Sequence, residues 1–431
     1  MGQRGVACYA PAPKCPGLTH FARPNAVSLT PIDVDYSART PRTELASSRG
    51  SQLHYNLGVW MAKQRFTGDS GTYPFPASPK FPDSRVLASR VDDAASRLYK
   101  KLLGVDLQSL DVSDYFRLYL QSHLKHAVPS LQLYSHLLFL SLRGIVESSD
   151  VGFVDYGGGT GLLSLLAREA GVPNVIYNDI YDVSCVDART LAVKVGLEAD
   201  DYVLGDLEDL TSYLRGRSVQ CRTIASFDVI EHVYDIESFL RAVPSISSGP
   251  LRVVFASTAN TFNPLLSWML TKKQLAAETL DRPPTAGHKL RDTTRAYRSV
   301  REEMIRQHAP TLTLEEVGHL GAVTRGLMKG DIEDAVDRFV ATGESPAELV
   351  HRTNTCDPYT GNWCEHLMDP FELAKIMSAS GIPTRVRVGY WGSYAERWKR
   401  LSMRIVNRAI RMSGAQGRRL APYYVLYGDR P

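Results

Sequence analysis

Gly152-Phe-Val-Asp155-Tyr-Gly157-Gly-Gly159-Thr-Gly161-Leu162 is the stretch whose reading decides the fold. Gly152–Asp155 is short, apolar and bounded, as a buried strand is. Leu162 to Gly171 carries helical spacing, with Gly171 just past its end. Four glycines therefore lie between a strand and a helix. Glycine turns sharply and lets backbone approach a ligand with no Cβ in the way. The helix start adds unpaired N–H groups and the positive end of a dipole. Such a turn suits an anionic or carboxylate-bearing ligand. A dinucleotide turn beginning at Gly157 would need glycine or alanine where Leu162 stands, and the Gly-Lys-Ser/Thr of a P-loop is absent.

Downstream the pattern alternates. Asn174–Asp179, Asp201–Leu204, Thr223–Asp228 and Leu251–Ser257 read as strands. Cys185–Val195 and Ile236–Val243 read as helices between them. This predicts an α/β fold with a mostly parallel sheet covered on both faces. Upstream, Val86, Val91, Ala94, Ala95, Leu98 and Leu102 recur at helical spacing, and Ser113 is an N-cap candidate for Asp114–His126. Pro129 can open a further helix to about Arg143. Five segments follow: 1–85, Pro-rich and poorly ordered; 86–148, a helical cap; 149–259, the core; 260–368, a helical insert; and 369–431, a helix and a strand pair that complete the sheet.

The order of motifs resembles the class I methyltransferases that use S-adenosylmethionine (SAM). Asp155-x-Gly157-x-Gly159-x-Gly161 is similar to their signature turn. Asn178-Asp179, Gly205-Asp206, Phe227-Asp228-Val-Ile-Glu231-His232-Val233 and Leu251–Ser257 follow where that family has its second to fifth strand ends. The resemblance covers roughly Gly152–Ser257 and Asp369 to the end. It implies a Rossmann-like seven-stranded sheet and SAM as cofactor. It also implies cofactor contacts from Asp155, Gly157, Gly159, Gly161, Asp179, Asp206 and Asp228, with Asp179 facing the ribose hydroxyls and Asp206 the adenine. A carboxylate suits paired hydroxyls because it only accepts. Asp155 is also placed to set the loop by accepting turn N–H groups.

For a hydroxyl acceptor the reaction wants a base, most often histidine. His288, in Ala286-Gly-His288-Lys289-Leu-Arg291, and His366 are the catalytic candidates. His232 sits inside the fourth-strand motif and is assigned to the cofactor surroundings instead. His351 to His366 is dense in polar and aromatic groups, as a sugar or nucleotide pocket is. His351, Cys356, Cys364 and His366 fit no zinc spacing, so no metal is expected and the thiols read as buried. The Thr353–Cys356 segment is similar to methyltransferase-domain proteins of bacterial sugar and cell-surface pathways. That ranks a sugar hydroxyl, lipid-linked or free, first among small-molecule or glycan acceptors.

Composition bounds the rest. Hydrophobic content of 44% and charge of 22% fit a globular chain, and no apolar run reaches the roughly 18 residues of a membrane span. The start lacks the apolar region of a secretory signal, and six cysteines are too few for a disulfide scaffold, so the cytoplasm is expected. From Arg385 to the end, eleven Lys/Arg face two Asp/Glu. Helix 393–412 sets Trp398, Leu401, Ile405, Ala409 and Met412 on one side among basic residues. Such a stripe is expected to pack on the domain, with peripheral membrane contact as the alternative. Two other functions stay open: a SAM-binding regulator without turnover, and a nucleic-acid methyltransferase using the basic tail. Against the latter, Asp228-Val-Ile-Glu231 is not the Asn/Asp-Pro-Pro-aromatic of amino-methylating DNA enzymes.

Overall fold

The structure, a computed structural model, describes residues 84–431 except 146, 149, 218, 285–287, 348, 350 and 393–396. The expectation of poor order over 1–85 lies outside the described residues, except for Ser84 and Arg85, which open the first helix.

Three helices precede the sheet: α1 (Ser84–Leu103), α2 (Asp114–Lys125) and α3 (Ala127–Leu142). Ser113 caps α2 by accepting from the Phe116 amide at 3.1 Å. The α3 helix is apolar nearly all round and is buried along its length, which is what an unpolarised helix must do in water. The hydroxyls of Ser135 and Ser141 donate to carbonyls four residues back, and His136 Nδ1 lies 2.8 Å from the Tyr423 hydroxyl of the last strand.

Strands β1 (Val151–Tyr156), β2 (Val175–Asp179), β3 (Asp201–Leu204), β4 (Gln220–Phe227) and β5 (Leu251–Ser257) alternate with α4 (Leu162–Glu169), α5 (Asp182–Val195), α6 (Leu207–Arg215) and α7 (Ile236–Ala242). After the insert come α12 (Pro370–Ala379), β6 (Thr384–Val388), α13 (Arg397–Met412) and β7 (Tyr424–Arg430). The sheet runs β3-β2-β1-β4-β5-β7-β6. β1 to β5 are parallel, and β7 is antiparallel to β5 and β6. Strand order reverses between β1 and β4, and a sheet wound this way leaves a crevice beyond its strand carboxyl ends there. One apolar core lies on each face of the sheet; the cap helices pack into one and α6, α7 and α12 into the other.

The insert carries α8 (Pro264–Thr279), α9 (Tyr297–His308), α10 (Leu314–Val323) and α11 (Lys329–Thr342). Val300, Ile305, Leu320 and Val336 form a small core of its own. Its ends are pinned together, since Asn260 and Met368 form a bridge and Thr261 Oγ1 donates to the Met368 carbonyl at 3.2 Å. The insert is thus a closed excursion from the end of β5.

One expectation is reversed. The apolar stripe of α13 does not pack on the domain: Trp398, Leu401, Ile405 and Met412 are exposed, and the helix is held through buried Asn407 and Ile410 on its other side. Composition alone does not say which face of a helix tertiary packing covers.

Candidate active site

A cleft of about 610 Å³ opens at the carboxyl ends of β1, β2, β3 and β4. The glycine turn forms its floor. Gly157, Gly159 and Gly161 have φ of 65°, 52° and 74°, a region that L side chains rarely enter. At Gly157 the space is also closed, because a Cβ would stand 2.6 Å from Val229 Cγ2. The turn is tied to the tip of β2: Gly158 N donates to the Asn178 carbonyl, Gly159 N donates to Asp179 Oδ2, both at 2.9 Å, and the Tyr177 hydroxyl donates to the Gly159 carbonyl at 2.7 Å. Asn178 Nδ2 reaches on to the carbonyls of Val203 and Gly205, which locks β2 to β3.

The sequence-predicted residues divide. Gly157, Gly159, Asp179, Asp206 and Asp228 line the cleft. Asp155 and Gly161 do not. Asp155 turns the other way, and its Oδ2 accepts from Ser164 N at 2.9 Å and Ser164 Oγ at 2.7 Å. It therefore caps α4, satisfying an N–H that would otherwise be orphaned at the helix start. Burial pushes its carboxyl up to about 7, against the lowering effect of the Ser164 bonds. Asp206 is the N-cap of α6, with Oδ1 accepting from Glu208 N and Asp209 N.

Asp179 is buried, and its Oδ1 accepts from Tyr181 N at 2.9 Å. Each carboxylate oxygen has a second lone pair, so two acceptor positions remain beside the turn. Lys289 Nζ, from the insert, lies 3.9 Å from Oδ1. Lys289 and Arg291 line the cleft, as do Thr360, Gly361 and Asn362 from the far end of the insert and Tyr115 and Tyr119 from α2. Cap and insert together wall the crevice; the insert was expected beside the acceptor, whereas Tyr115 and Tyr119 of the cap were not singled out. The signal was present: Tyr115 and Tyr119 are spaced i, i+4 and so share a helix face.

Beneath the β4 end is a set of buried charges. Asp228, at φ 53°, accepts from Thr258 N at 2.8 Å and Thr258 Oγ1 at 3.0 Å. Glu231 is fully buried, and neither of its oxygens meets a donor. Two facing carboxylates cannot bond unless one is protonated. Burial, then the negative charge of Asp228, holds Glu231 far above the usual carboxylate range, which favours its protonated form beside Asp228. Glu365, at φ 54°, behaves oppositely: burial pushes it up, but nearby His232 and Lys273, the latter at 2.6 Å, bring it below its ordinary value.

Among the histidines, His232 lines the cleft, whereas His288 and His366 are outside its lining. His232 Nδ1 lies 2.8 Å from the Trp363 carbonyl. A carbonyl only accepts, so Nδ1 carries a proton and Nε2 is the ring nitrogen left for another partner. His366 stacks on the Trp363 ring, with centroids 4.1 Å apart and planes at 18°. Burial, then His351, pushes it down to about 4, and it serves as a neutral packing ring. His288 is half-buried beside Lys289. The expected sugar pocket at His351–His366 is mostly spent on internal bonds: Asn354 and Thr353 bond Gln274, and Thr355 bonds Glu278, which pairs with buried Arg301. Cys356 and Cys364 are buried thiols. Burial raises both.

No family model and no curated protein matches the chain. Solved structures do. A SAM-dependent methyltransferase from Aquifex aeolicus is 12% identical over 75% of this chain and 97% of that one, with a TM-score of 0.30. Mycolic acid cyclopropane synthase, solved with S-adenosylhomocysteine, is 12% identical over 75% and 95%, at 0.34. The CurJ carbon methyltransferase is 10% identical over 90% and 72%, at 0.35. The class rests on the strand order, not on these scores. Seven strands ordered 3-2-1-4-5-7-6, with the seventh antiparallel, are the class I SAM-dependent methyltransferase fold.

Proposed function

We propose that the chain is a methyltransferase that binds SAM at the glycine turn and methylates a hydroxyl of a sugar or cell-surface precursor. The observation that carries this reading is that one cleft is lined by Gly157, Gly159, Asp179 and His232. The residues present fit the cofactor. The turn is a cradle that a Cβ at Gly157 would fill, and Asp179 offers acceptor positions beside it. Gly157 and Gly159 would meet the amino-acid end, Asp179 the ribose and the β3 end at Asp206 the adenine. SAM, when bound, supplies an electrophilic methyl group.

The chain's own work is to hold, dry and deprotonate the acceptor. Tyr115 and Tyr119 close one side of the cleft and exclude water, with Tyr119 pressed to within 3.2 Å of where a Gly159 Cβ would stand. Lys289 and Arg291 supply cations at the insert side, suited to an acceptor with an anionic group. His232 Nε2, oriented by the Trp363 carbonyl, takes the hydroxyl proton as general base. Glu365 lies close enough to His232 to balance the imidazolium charge then formed. Holding both reactants in attack geometry supplies much of the remaining acceleration.

The test is transfer of label from methyl-tritiated SAM into glycan and lipid-linked sugar fractions of a cell-envelope extract. Label in an alkali-stable methyl ether supports the reading. SAM binding with no label in any fraction sinks it in favour of a regulator.

A further inference from the structure

The α13 helix is amphipathic with its apolar stripe facing out. Trp398, Leu401, Ile405 and Met412, spaced by three, four and seven residues, lie on one face and are each more than half exposed. The opposite side is anchored: Asn407 Oδ1 accepts from Trp391 N at 2.9 Å and its Nδ2 donates to the Trp391 carbonyl at 2.8 Å. The helix has six Lys/Arg and no acidic residue. Among them Arg408 and Arg411 are exposed.

A second exposed apolar group lies at the start of α8. Leu265, Trp268 and Met269, in the first two turns of α8, are also each more than half exposed, and Lys272 Nζ sits 3.7 Å from the Trp268 ring centroid. The start of α8 is fastened to the segment that follows α13. Asn263 Nδ2 donates to the Ala421 carbonyl at 3.0 Å, and Asn260 Nδ2 to the carbonyls of Ala421 and Arg418. Exposed Leu420 lies in that segment.

Strand register places all of this on one edge of the sheet. Phe227 pairs with Ala256, Ser257 with Tyr424, and Tyr424 with Val388. The carboxyl ends of β4, β5 and β6 and the start of β7 are therefore level. Both exposed helices spring from that edge, the same edge that holds the cleft.

An exposed apolar patch of this kind marks an interaction surface. Aromatic and aliphatic residues on one face with cations beside them are the composition of a helix lying in a lipid interface. A second copy is disfavoured, because an isologous contact would set the exposed Arg408 and Arg411 against their own symmetry copies. We propose that α13 and the first turns of α8 form a docking surface for an anionic bilayer, on the edge from which the cleft opens. This inference stands on the helices and needs no methyl transfer. If both hold, acceptors held in the membrane are presented at the cleft mouth.

The experiment is sedimentation of the full chain with phosphatidylglycerol–phosphatidylcholine vesicles and with pure phosphatidylcholine vesicles, at low and high salt. Binding to the anionic vesicles at least tenfold above the neutral ones, falling with salt, is expected; each surface cation is worth roughly fivefold. Leu401→Asp/Ile405→Asp and Arg408→Glu/Arg411→Glu should each lose at least tenfold, and Trp268→Asp a smaller part. Folding of each variant is checked by its circular dichroism spectrum and melting temperature, since the altered side chains are exposed. Wild-type protein that ignores anionic vesicles overturns the proposal, as do variants that bind like wild type. So does a dimer in solution that Leu401→Asp/Ile405→Asp dissociates, which would assign the face to a second copy. Failure of wild type to bind SAM would count against the methyltransferase reading alone.

Discussion

The Gly159 amide donates to Asp179 Oδ2 at 2.9 Å, across 20 residues of chain. The glycine turn and the acid of the second strand are thus one unit, each holding the other's ligand-facing geometry. Gly159→Ala and Asp179→Asn should not add. Gly159→Ala places a Cβ at φ 52°, 3.2 Å from Tyr119, and moves the amide that Asp179 accepts. In a double-mutant cycle read by SAM affinity, coupling of about 0.5–3 kcal/mol is expected for contacting residues. Strict additivity would show that the two act separately.

His232, not His288 or His366, is expected to carry the proton. His232→Ala should lower turnover by about 10² to 10⁴ while leaving SAM affinity within a few-fold. His288→Ala and His366→Phe should keep most of the activity, since neither ring lines the cleft. Steady-state kinetics with the labelled acceptor fraction separates these outcomes. Full activity of His232→Ala would remove the base from the mechanism.

Glu231 gives a pH prediction. Its carboxyl is held far above its ordinary value in the fold by burial and by Asp228. A group raised on folding stabilises fully below its unfolded value, and that contribution drains away as pH climbs toward the folded value. The window opens near pH 4.5, the ordinary value. Glu231→Gln keeps a donor toward Asp228 and cannot ionise. Its stability relative to wild type should therefore rise as pH climbs above that value. Urea midpoints measured above it check this, and a gap independent of pH would mean that Glu231 is ionised in the fold.

Much of this was legible in the chain. The strand–turn–helix at Gly152–Leu162 was read because a buried parallel strand is continuously apolar and the turn needs glycine. Strands β2 to β5 followed from the same alternation. Where one short motif spans a strand end, as at Gly157, Gly159 and Asp179, the sequence reading and the lining of the cleft coincide. They part where contacts depend on how the insert folds back. His366 reads as catalytic from its polar neighbourhood, yet those neighbours bond one another: Thr355 to Glu278, Asn354 to Gln274. From its motif His232 reads as part of the cofactor surroundings; the carbonyl that orients its imidazole belongs to Trp363, 131 residues away. The outward stripe of α13 was missed for a related reason, since burial of Asn407 and Ile410 on the other side comes from tertiary packing.

The central claim is that the glycine turn and Asp179 hold SAM. Calorimetric titration of the full chain with SAM, S-adenosylhomocysteine and NAD, beside Asp179→Ala, tests it most directly. Two charge-assisted hydrogen bonds at about 1.5 kcal/mol each correspond to roughly a hundredfold in affinity. The account predicts micromolar binding of both adenosyl ligands, none of NAD, and a loss of that order in Asp179→Ala. Absence of binding by wild type, or equal affinity in the variant, would contradict it.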